Sequence, residues 1–487
     1  MASALFQIDP RDSVATALRD LEAGEREAGV TLAEPVARGH KVALRPIAAG
    51  EDVIKFGFPI GRATRAIAPG AHVHSHNLAT ALAATGRYEY RPAPQPAEAA
   101  PAATFQGYRR ADGRVGTRNE IWVIPTVGCV ARTAQKIAER AAARHAGRID
   151  GIHAFAHPFG CSQLGDDLAG TRGLLASLAS HPNAGGVLIV GLGCESNQLK
   201  ALLAEVGPAA NLRALGAQEA GDELEEGLAL VDALVEAAAS ARRAPAPLAE
   251  LVLGVKCGGS DGLSGLTANP LVGRMSDAVT GAGGAAILTE IPEMFGAEQL
   301  LMARAADERV FDGIVGLVNG FKAYFTGHGE PISENPSPGN IAGGITTLEE
   351  KSLGAVQKGG HATVTDVLSY GGRVRRPGLS LLEAPGNDAV SATALAAAGA
   401  TAILFTTGRG TPLGFPVPTI KIASNSDLAQ RKPGWIDFDA GRALDEGMAR
   451  AAGELLGEIC AIASGRETAA ERNGEREIAI WKRGVTL

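Results

Sequence analysis

Three histidines alternate with other residues in the short segment AHVHSHN, at positions 72, 74 and 76. Because successive side chains along a β-strand point to opposite faces, a strand here would place all three imidazoles on one side. Neutral imidazole is a common ligand of iron, zinc and manganese. The spacing therefore predicts a metal site to which two of His72, His74 and His76 contribute, since a straight strand rarely brings three such neighbours to one ion. The alternative is a solvated edge strand that binds no metal.

Four of the five cysteines each close an apolar run, and each has a glycine beside it or one residue away. In open α/β sheets, ligands bind outside the carboxyl ends of the strands, where these residues would lie. They are therefore candidate ligands, although a free cysteine also packs well as a small apolar side chain. The four are Cys129, Cys161, Cys194 and Cys257. Cys460 lies in the helical pattern GELLGEICAIAS, and we expect it in the core.

Glycine-rich polar turns follow the same strands, among them CSQLGDD, CESNQ and KCGGSDGLSG, and two similar segments are ENPSPGNIAGG and TTGRGTPLG. Paired glycines let backbone N–H groups converge on an anion, and Ser260 and Asp261 add polar groups at the same place. Arg409 stands between glycines and suits a carboxylate. These loops favour a small polyhydroxylated or anionic ligand, although any one of them could be a simple turn.

Familiar nucleotide and hydrolase motifs are absent from the sequence. It contains no Gly-Lys dipeptide and hence no Walker A loop, and GRGTPLG misses the dinucleotide spacing by one residue. It also lacks an H-E-x-x-H helix. These absences disfavour NTP-driven and hydride-transfer chemistry and favour metal-assisted chemistry on a polar metabolite.

The elements that must position these residues fall into an α/β pattern. Apolar strand, turn and helix repeat from Glu120 onward, which predicts two Rossmann-like units with largely parallel sheets. The first 92 residues read as a small β-rich domain with one possible helix at residues 13–23. A Pro-Ala segment predicts a linker. We expect domains at 1–92, 105–250 and 251–487, with the linker at 93–104.

Composition limits the possible partners and locations. The 487 residues carry 46 Lys and Arg against 53 Asp and Glu, a net charge of −7, which argues against nucleic acid as a partner. No apolar run approaches the roughly 18 residues of a membrane span, and the start MASALFQIDPRDSV lacks the features of a signal peptide. We therefore expect a cytoplasmic protein that does not enter a membrane. The odd number of cysteines argues against a disulfide scaffold.

Several long segments resemble the altronate/galactarate dehydratase family. ARGHKVAL, GEDVIKFGFPIG and AHVHSHN are similar to its N-terminal SAF-type domain. The catalytic body is matched by GYRRADGRVGTRNEIWVIPTVGC, FGCSQLGDD, HPNAGGVLIVGLGCE, KCGGSDGLSGLTANP, TEIPEMFGAEQLL, NPSPGN, GGITTLEEKSLG and FTTGRGTP. The resemblance covers nearly the whole chain, and the histidine segment and DGLSG favour the altronate branch.

The resemblance implies a hydro-lyase that dehydrates D-altronate to 2-dehydro-3-deoxy-D-gluconate in hexuronate catabolism, with Fe²⁺ or Mn²⁺ as the metal. Its partner would be a small-molecule sugar acid, and a homo-oligomer is possible. Two alternatives stay open: a dehydratase of galactarate or a related sugar acid, and a non-catalytic sugar-acid-binding protein. An iron–sulfur cluster on Cys129, Cys161, Cys194 and Cys257 is an alternative cofactor.

Residue roles follow as hypotheses from the chemistry of removing water beside a carboxylate. The metal ligands would be His72, His74 and His76 together with Cys194, and Glu195 would be a further catalytic or metal-binding group. The base would be His40, Lys41 or Lys256. The substrate would be bound by Arg118, Ser260, Asp261, Asn335 and Arg409. For the histidines to take part, the linker must fold back so that the N-terminal domain reaches the catalytic body.

Overall fold

The computed structural model describes residues 3–93 and 101–487. Most of the linker predicted at 93–104 therefore lies outside the described residues. The N-terminal unit is built from short antiparallel strands in three small sheets, ordered β1-β2-β5-β8, β6-β7-β9 and β3-β4. Its strands are β1 Leu5–Phe6, β2 Val14–Ala17, β3 Arg26–Glu27, β4 Val30–Thr31, β5 Lys41–Ala43, β6 Asp52–Lys55, β7 Phe58–Ala63, β8 His72–Val73 and β9 Leu78–Ala79.

The possible helix at residues 13–23 is wrong. Val14–Ala17 form β2, which pairs with β1 on one side and β5 on the other, and all four residues are buried. Pairing on both edges, together with β-branched Val14 and Thr16, favours the strand over a helix.

The second unit is a parallel four-stranded sheet ordered β13-β12-β14-β15, with helices packed on it. Strand β10 pairs antiparallel with β11 and with β16, which closes the unit. Its elements are β10 Thr104–Arg109, β11 Val115–Gly116, β12 Glu120–Pro125, α1 Ala131–Arg144, β13 Gly151–Ala154, α2 Gly165–Ala179, β14 Ala184–Gly191, α3 Leu199–Val206, β15 Leu212–Gly216, α4 Glu223–Ala238 and β16 Ala244–Pro247.

The third unit has a fully parallel seven-stranded sheet ordered β19-β20-β18-β17-β21-β22-β23. Its central strands are buried on both faces, as expected when helices cover a parallel sheet. The elements are β17 Val252–Cys257, α5 Ala268–Gly281, β18 Ala285–Leu288, α6 Glu298–Met302, α7 Glu308–Gly327, α8 Pro338–Ala342, α9 Leu348–Ala355, β19 Val364–Leu368, β20 Gly378–Leu382, α10 Asp388–Ala397, β21 Ala402–Thr407, β22 Thr419–Ala423, α11 Ser426–Arg431, β23 Phe438–Asp439, α12 Ala443–Glu446, α13 Met448–Ala463 and α14 Ala469–Arg472.

The predicted fold class is confirmed, but one apolar run of the third unit that the sequence predicts as a strand, GIVGLV, is helical. The apolar run GIVGLV lies inside helix α7, whose buried residues Val310, Ile314 and Val318 recur every fourth position. Asp307 begins that helix by accepting a hydrogen bond from the backbone N–H of Val310. Of the helices in the described ranges, none is long and apolar enough to cross a membrane.

A buried ion triad joins the N-terminal unit to the third unit. Lys41 Nζ and Lys55 Nζ each lie 2.8 Å from a different carboxylate oxygen of Glu350 in α9. Burial alone would raise the pKa of Glu350, but the two ammonium groups outweigh it and lower the pKa to about 2. The N-terminal unit therefore packs on the third unit, as the histidine hypothesis requires.

Substituting Glu350→Gln would leave two buried ammonium groups without a counter-charge, and we expect it to lower the free energy of unfolding by about 3 kcal/mol at pH 7. Because the folded pKa lies below the ordinary 4.5, this difference is complete above about pH 4.5 and shrinks as the pH falls toward 2. Urea unfolding across this pH range measures it. The matched control is Glu454, which forms a surface ion pair with Arg450. Glu454→Gln should lower the free energy of unfolding by less than about 1 kcal/mol. Equal losses in the two variants would contradict a special role for the triad.

Candidate active site

Four imidazoles, those of His40, His72, His74 and His76, form a histidine cluster on the N-terminal unit. The ring centroids of His72 lie 5.1 Å from His40, 5.3 Å from His74 and 5.5 Å from His76. Nδ1 of His40 and Nε2 of His72 are 3.0 Å apart. The sequence predicted three of these residues as one group and treated His40 separately.

The histidines are gathered by a turn rather than by one straight strand. Strand β8 ends at Val73, so the expected alternation does not continue to His76. Asn77 holds the turn, because its side chain accepts from the backbone N–H of His74 and donates to the carbonyl of His72, both at 2.9 Å. The turn brings His76 back toward His72, whereas an extended chain would place the two side chains farther apart.

The surroundings of His40, His72 and His74 favour uncharged imidazoles. Burial and the neighbouring histidines lower the pKa of His72 to about 3. Burial is also the main cause of the lowered pKa values of His40 and His74. Neutral imidazole is the form that binds metals and accepts protons.

Loops of the third unit pack directly against this cluster. Nε2 of His74 lies 3.1 Å from the carbonyl oxygen of Ile341 in α8. A side chain at Gly344 is impossible, since its Cβ would lie 2.3 Å from the carbonyl oxygen of Gly39. The amide of Gly262 donates to the carbonyl of Gly343 at 2.7 Å, which ties the DGLSG loop to the same place.

A second group, the buried charge cluster, lies behind α8. Lys256 Nζ donates to Glu290 at 2.9 Å and to Asp388 at 2.7 Å. Cys257 Sγ lies 3.1 Å from both Glu293 Oε2 and Lys358 Nζ. Lys351 Nζ donates to Glu293 at 2.8 Å and to Asn335 at 2.9 Å. We define this cluster as Lys256, Cys257, Glu290, Glu293, Lys351, Lys358 and Asp388.

The charge states within this cluster follow from its pairings. Burial alone would raise the pKa of Glu293, but Lys351 and Lys358 lower it to about 2. Burial raises the pKa of Cys257 to about 12, helped by the charge of Glu293, so the thiol is protonated. Against the effect of burial, Glu290 and Asp388 raise the pKa of Lys256. Lys256 is therefore a charged, fully paired ammonium group, and the prediction that it acts as the base is not supported.

Four of the predicted substrate residues lie around α8. Asn340 in this helix donates to the carbonyl of Ser260 at 2.7 Å. Arg409 Nη2 donates to the carbonyl of Gly339 at 2.7 Å, and the side chain is otherwise exposed. Asn335 accepts from Lys351. Asp261 lies in the same region, with its carboxylate accepting from Ser424 at 2.8 Å and from Asn425 at 2.9 Å, so it braces loops.

Arg118 does not belong to this site. All five of its N–H groups are used, two on the carboxylate of Glu471 at 2.8 and 2.9 Å and three on backbone carbonyls. It is 3% exposed. Arg118 is therefore a structural residue, and the assignment to the substrate carboxylate is wrong.

Lys41, the other lysine proposed as base, is also restrained. Burial lowers its pKa to about 8, although Glu350 opposes that change. Its ammonium group donates to Glu350 at 2.8 Å and to Gly344 O and Thr346 Oγ1 at 2.7 Å each. Three bonds use all three protons, so Lys41 holds the two units together.

The structure separates Cys194 and Glu195 from the histidine cluster. They follow β14 in the second unit, and the carboxylate of Glu195 accepts from Thr126 Oγ1 and the N–H of Gly193, both at 2.6 Å. These bonds close a turn. Within residues 3–93 and 101–487, no hydrogen bond joins the side chain of Cys194 or Glu195 to a histidine of the cluster, and we do not retain either residue as a metal ligand.

The four strand-end cysteines do not form one ligand set. Cys129, Cys161 and Cys194 are exposed beside the four-stranded sheet, whereas Cys257 is buried beside the seven-stranded sheet. An iron–sulfur cluster on all four is therefore not supported. Cys460 lies in helix α13, as its sequence pattern predicts, but it is half-buried and the expectation that it belongs to the core is wrong.

Sequence reasoning gave no role to Glu290, Glu293, Lys351, Lys358 or Asn340. The available signal was the presence of charged residues inside otherwise apolar segments, as in TEIPEMFG and LEEKSLG. A buried charge needs a partner, so such residues predict one another. Glu290 also has a φ of +67°, a conformation that a non-glycine residue rarely adopts.

Comparison with known proteins agrees with this architecture. Residues 3–81 match the altronate/galactarate dehydratase SAF domain, 107–239 the D-galactarate dehydratase/altronate hydrolase second domain, and 248–486 the D-galactarate/altronate dehydratase C-terminal domain. The chain is 51% identical to altronate dehydratase of Escherichia coli K12, over 99% of both chains. The chain belongs to the altronate/galactarate dehydratase family.

Two further relatives place it within that family. Altronate dehydratase of Bacillus subtilis 168 is 48% identical over 99% of both chains. Galactarate dehydratase (L-threo-forming) of Escherichia coli K12 is 33% identical, over 95% of this chain and 93% of that one. The predictions of the family and of a hydro-lyase are confirmed.

Proposed function

We propose that this protein is an altronate dehydratase, a hydro-lyase that converts D-altronate to 2-dehydro-3-deoxy-D-gluconate. The observation that carries the proposal is full-length identity of 51% and 48% to two altronate dehydratases, against 33% to a galactarate dehydratase. The site supports it, because imidazoles, an exposed arginine and a protonated lysine are grouped around α8. The cytoplasmic location and a homo-oligomeric state remain predictions from the sequence.

The reaction sets three requirements. A weakly acidic proton must leave C2 beside the carboxylate, the hydroxyl on C3 must leave as water, and the developing negative charge must be stabilised. A divalent cation bound to the carboxylate would supply much of that stabilisation.

The histidine cluster fits the proposed Fe²⁺ or Mn²⁺. Nδ1 of His40 and Nε2 of His72 are 3.0 Å apart, so both nitrogens could contact the same ion, and neutral imidazole is a common ligand of these metals. We therefore assign His40 and His72 as the first ligand pair, with His74 or His76 adding a third imidazole.

The proton positions on His40 and His72 decide whether His40 can be a metal ligand or a base. If its Nδ1–H donated to Nε2 of His72, the His72 ring would carry its own proton on Nδ1 and have no lone pair left for a metal. His40 therefore cannot act as a base through Nε2 while neutral His72 binds a metal. Ligation by both rings would remove the conflict. With His74 as the third ligand, the exposed imidazole of His76 is then the candidate base.

The buried charge cluster offers a competing metal site. Among the residues the structure describes, Cys257, Glu290 and Glu293 form the one set of three potential ligand atoms within 4.8 Å of one another. Lys256, Lys351 and Lys358 already neutralise these groups. A divalent cation here would add charge beside three buried ammonium groups, so the histidine cluster is the better candidate.

Two other side chains have roles in handling the substrate. Against the effect of burial, Glu293 raises the pKa of Lys351, which stays protonated. Its ammonium group donates to Glu293, Asn335 and Asn340, so giving a proton to the departing hydroxyl requires exchanging the 3.3 Å bond to Asn340 for one to the substrate. Arg409 uses one donor on Gly339 and keeps the rest of its guanidinium for the substrate carboxylate.

The activity is tested by incubating the full-length enzyme, loaded anaerobically with Fe²⁺ or Mn²⁺, with a panel of hexonates and hexarates. We expect a 2-keto-3-deoxy acid from D-altronate with the highest kcat/KM. Faster turnover of galactarate would favour the alternative dehydratase, and tight binding without a 2-keto product would favour a sugar-acid-binding protein.

Variants separate the roles of Arg409 and Lys351. Arg409→Gln should raise KM about tenfold or more with a smaller change in kcat, because it removes a ground-state contact. Lys351→Gln should lower kcat about 100-fold, the usual contribution of a general acid. The exposed Arg309 has no side-chain partner in the described chain, and Arg309→Gln serves as the control. Unchanged KM in the Arg409 variant would exclude its assigned role.

Metal content distinguishes the two candidate metal sites. His40→Ala and His72→Ala should each lose most of the Fe²⁺ or Mn²⁺ measured by mass spectrometry, whereas Cys257→Ser should retain it. Circular dichroism checks that each variant is folded. If Cys257→Ser lost the metal while both histidine variants kept it, the metal site would be the buried charge cluster.

A further inference from the structure

A cavity of about 560 Å³ lies between the second and third units, away from the proposed active site. It borders the amino ends of the third unit's strands, at Val252, Ala285 and Thr401. The active-site groups lie at the carboxyl ends, as Cys257 does. Since a strand advances about 3.3 Å per residue, Val252 and Cys257 are about 17 Å apart. The cavity is therefore a separate place on the molecule.

Arginines dominate the charged lining of this cavity, which includes Arg114, Arg373, Arg375 and Arg376. The two carboxylates of the lining are already engaged. Asp112 accepts from Arg114 at 2.8 Å, and Glu250 accepts from Arg109 at 2.8 Å.

The other three guanidinium groups have no partner in the part of the chain that the structure describes. Within residues 3–93 and 101–487, no hydrogen bond or ion pair involves the side chain of Arg373, Arg375 or Arg376. The carboxyl ends of α5 and α10 also border the cavity, but none of these three arginines donates to their carbonyl oxygens.

This arrangement is unfavourable without a counter-charge. Arg373 is half-buried, and burial together with the charges of Arg114 and Arg375 lowers its pKa. Glu205 opposes that effect from a distance but forms no ion pair with Arg373. The chain carries more acidic than basic residues, yet within residues 3–93 and 101–487 none forms an ion pair with these three arginines. An anion between the arginines would relieve the repulsion and meet donors suited to paired oxygens.

We propose that this cavity is a binding site for a small metabolite anion with two or more negative charges, either a phosphate ester or a dicarboxylate. Its volume suits a small molecule rather than a single ion. Three guanidinium groups exceed what a single carboxylate needs, so the monoanionic altronate is not the expected ligand. The site is independent of the function proposed above.

The test uses thermal unfolding of the full-length protein with pyrophosphate or with succinate, each against potassium chloride at equal ionic strength. We expect one of the two anions to raise the midpoint by about 2 °C near saturation. The anion that does so identifies the phosphate or the dicarboxylate class. If neither raises the midpoint, the proposal is overturned.

The double variant Arg373→Gln/Arg375→Gln should bind that anion about tenfold more weakly or worse in calorimetry. The exposed, unpaired Arg87 and Arg309 provide the matched control, Arg87→Gln/Arg309→Gln, which should bind as the unmodified protein does. If the double variant does not fold, Arg376→Gln alone should weaken binding, because this side chain is exposed. Equal affinity in the variants and the control contradicts the site. Sedimentation velocity tests for one further outcome. If the double variant no longer forms an oligomer that the unmodified protein forms, and neither anion raises the unfolding midpoint, the arginines contact a second copy of the chain and the proposal is overturned.

Discussion

The proposed active site depends on one buried interaction, the carboxylate of Glu350 held between Lys41 and Lys55. The histidines are on the N-terminal unit, and the loops that face them are on the third unit. Removing Glu350 leaves two buried ammonium groups in the interface without a counter-charge. The distance between the histidine cluster and α8 is therefore set by a contact that itself binds no substrate.

The buried charge cluster obeys a related constraint. Three lysines, Lys256, Lys351 and Lys358, face three carboxylates, so the formal charges cancel. Cys257 stays protonated inside this balanced group. Because the positive and negative charges cancel, these groups can stay buried. Lys351 is held in a fixed position by its hydrogen bonds to Asn335 and Asn340. An altered charge at any member would disturb the others, which makes this a rigid backing for the loops around α8.

Much of the fold was predictable because parallel strands bury both faces and give continuous apolar runs. The histidine group was predictable from residue type and spacing, although its turn was not, since Asn77 fixes it by contacts with His72 and His74 that alternation cannot reveal. Arg118 looked like a carboxylate ligand because its partner Glu471 lies 353 residues away in the chain. Partners at such separations decide whether a charged residue is structural or free, and one sequence does not show them.

The Lys41–Glu350 and Lys55–Glu350 pairs span 309 and 295 residues of chain. At about 5–20 residues per second, a ribosome needs roughly 15–60 s to make α9 after the N-terminal unit has emerged. During that time the docking surface of the N-terminal unit faces water. Because that surface carries two lysines, it is hydrated while it waits, and its exposure does not invite aggregation as a purely apolar surface would. The same side chains that join the units in the finished protein thus keep the nascent chain soluble before their partner exists.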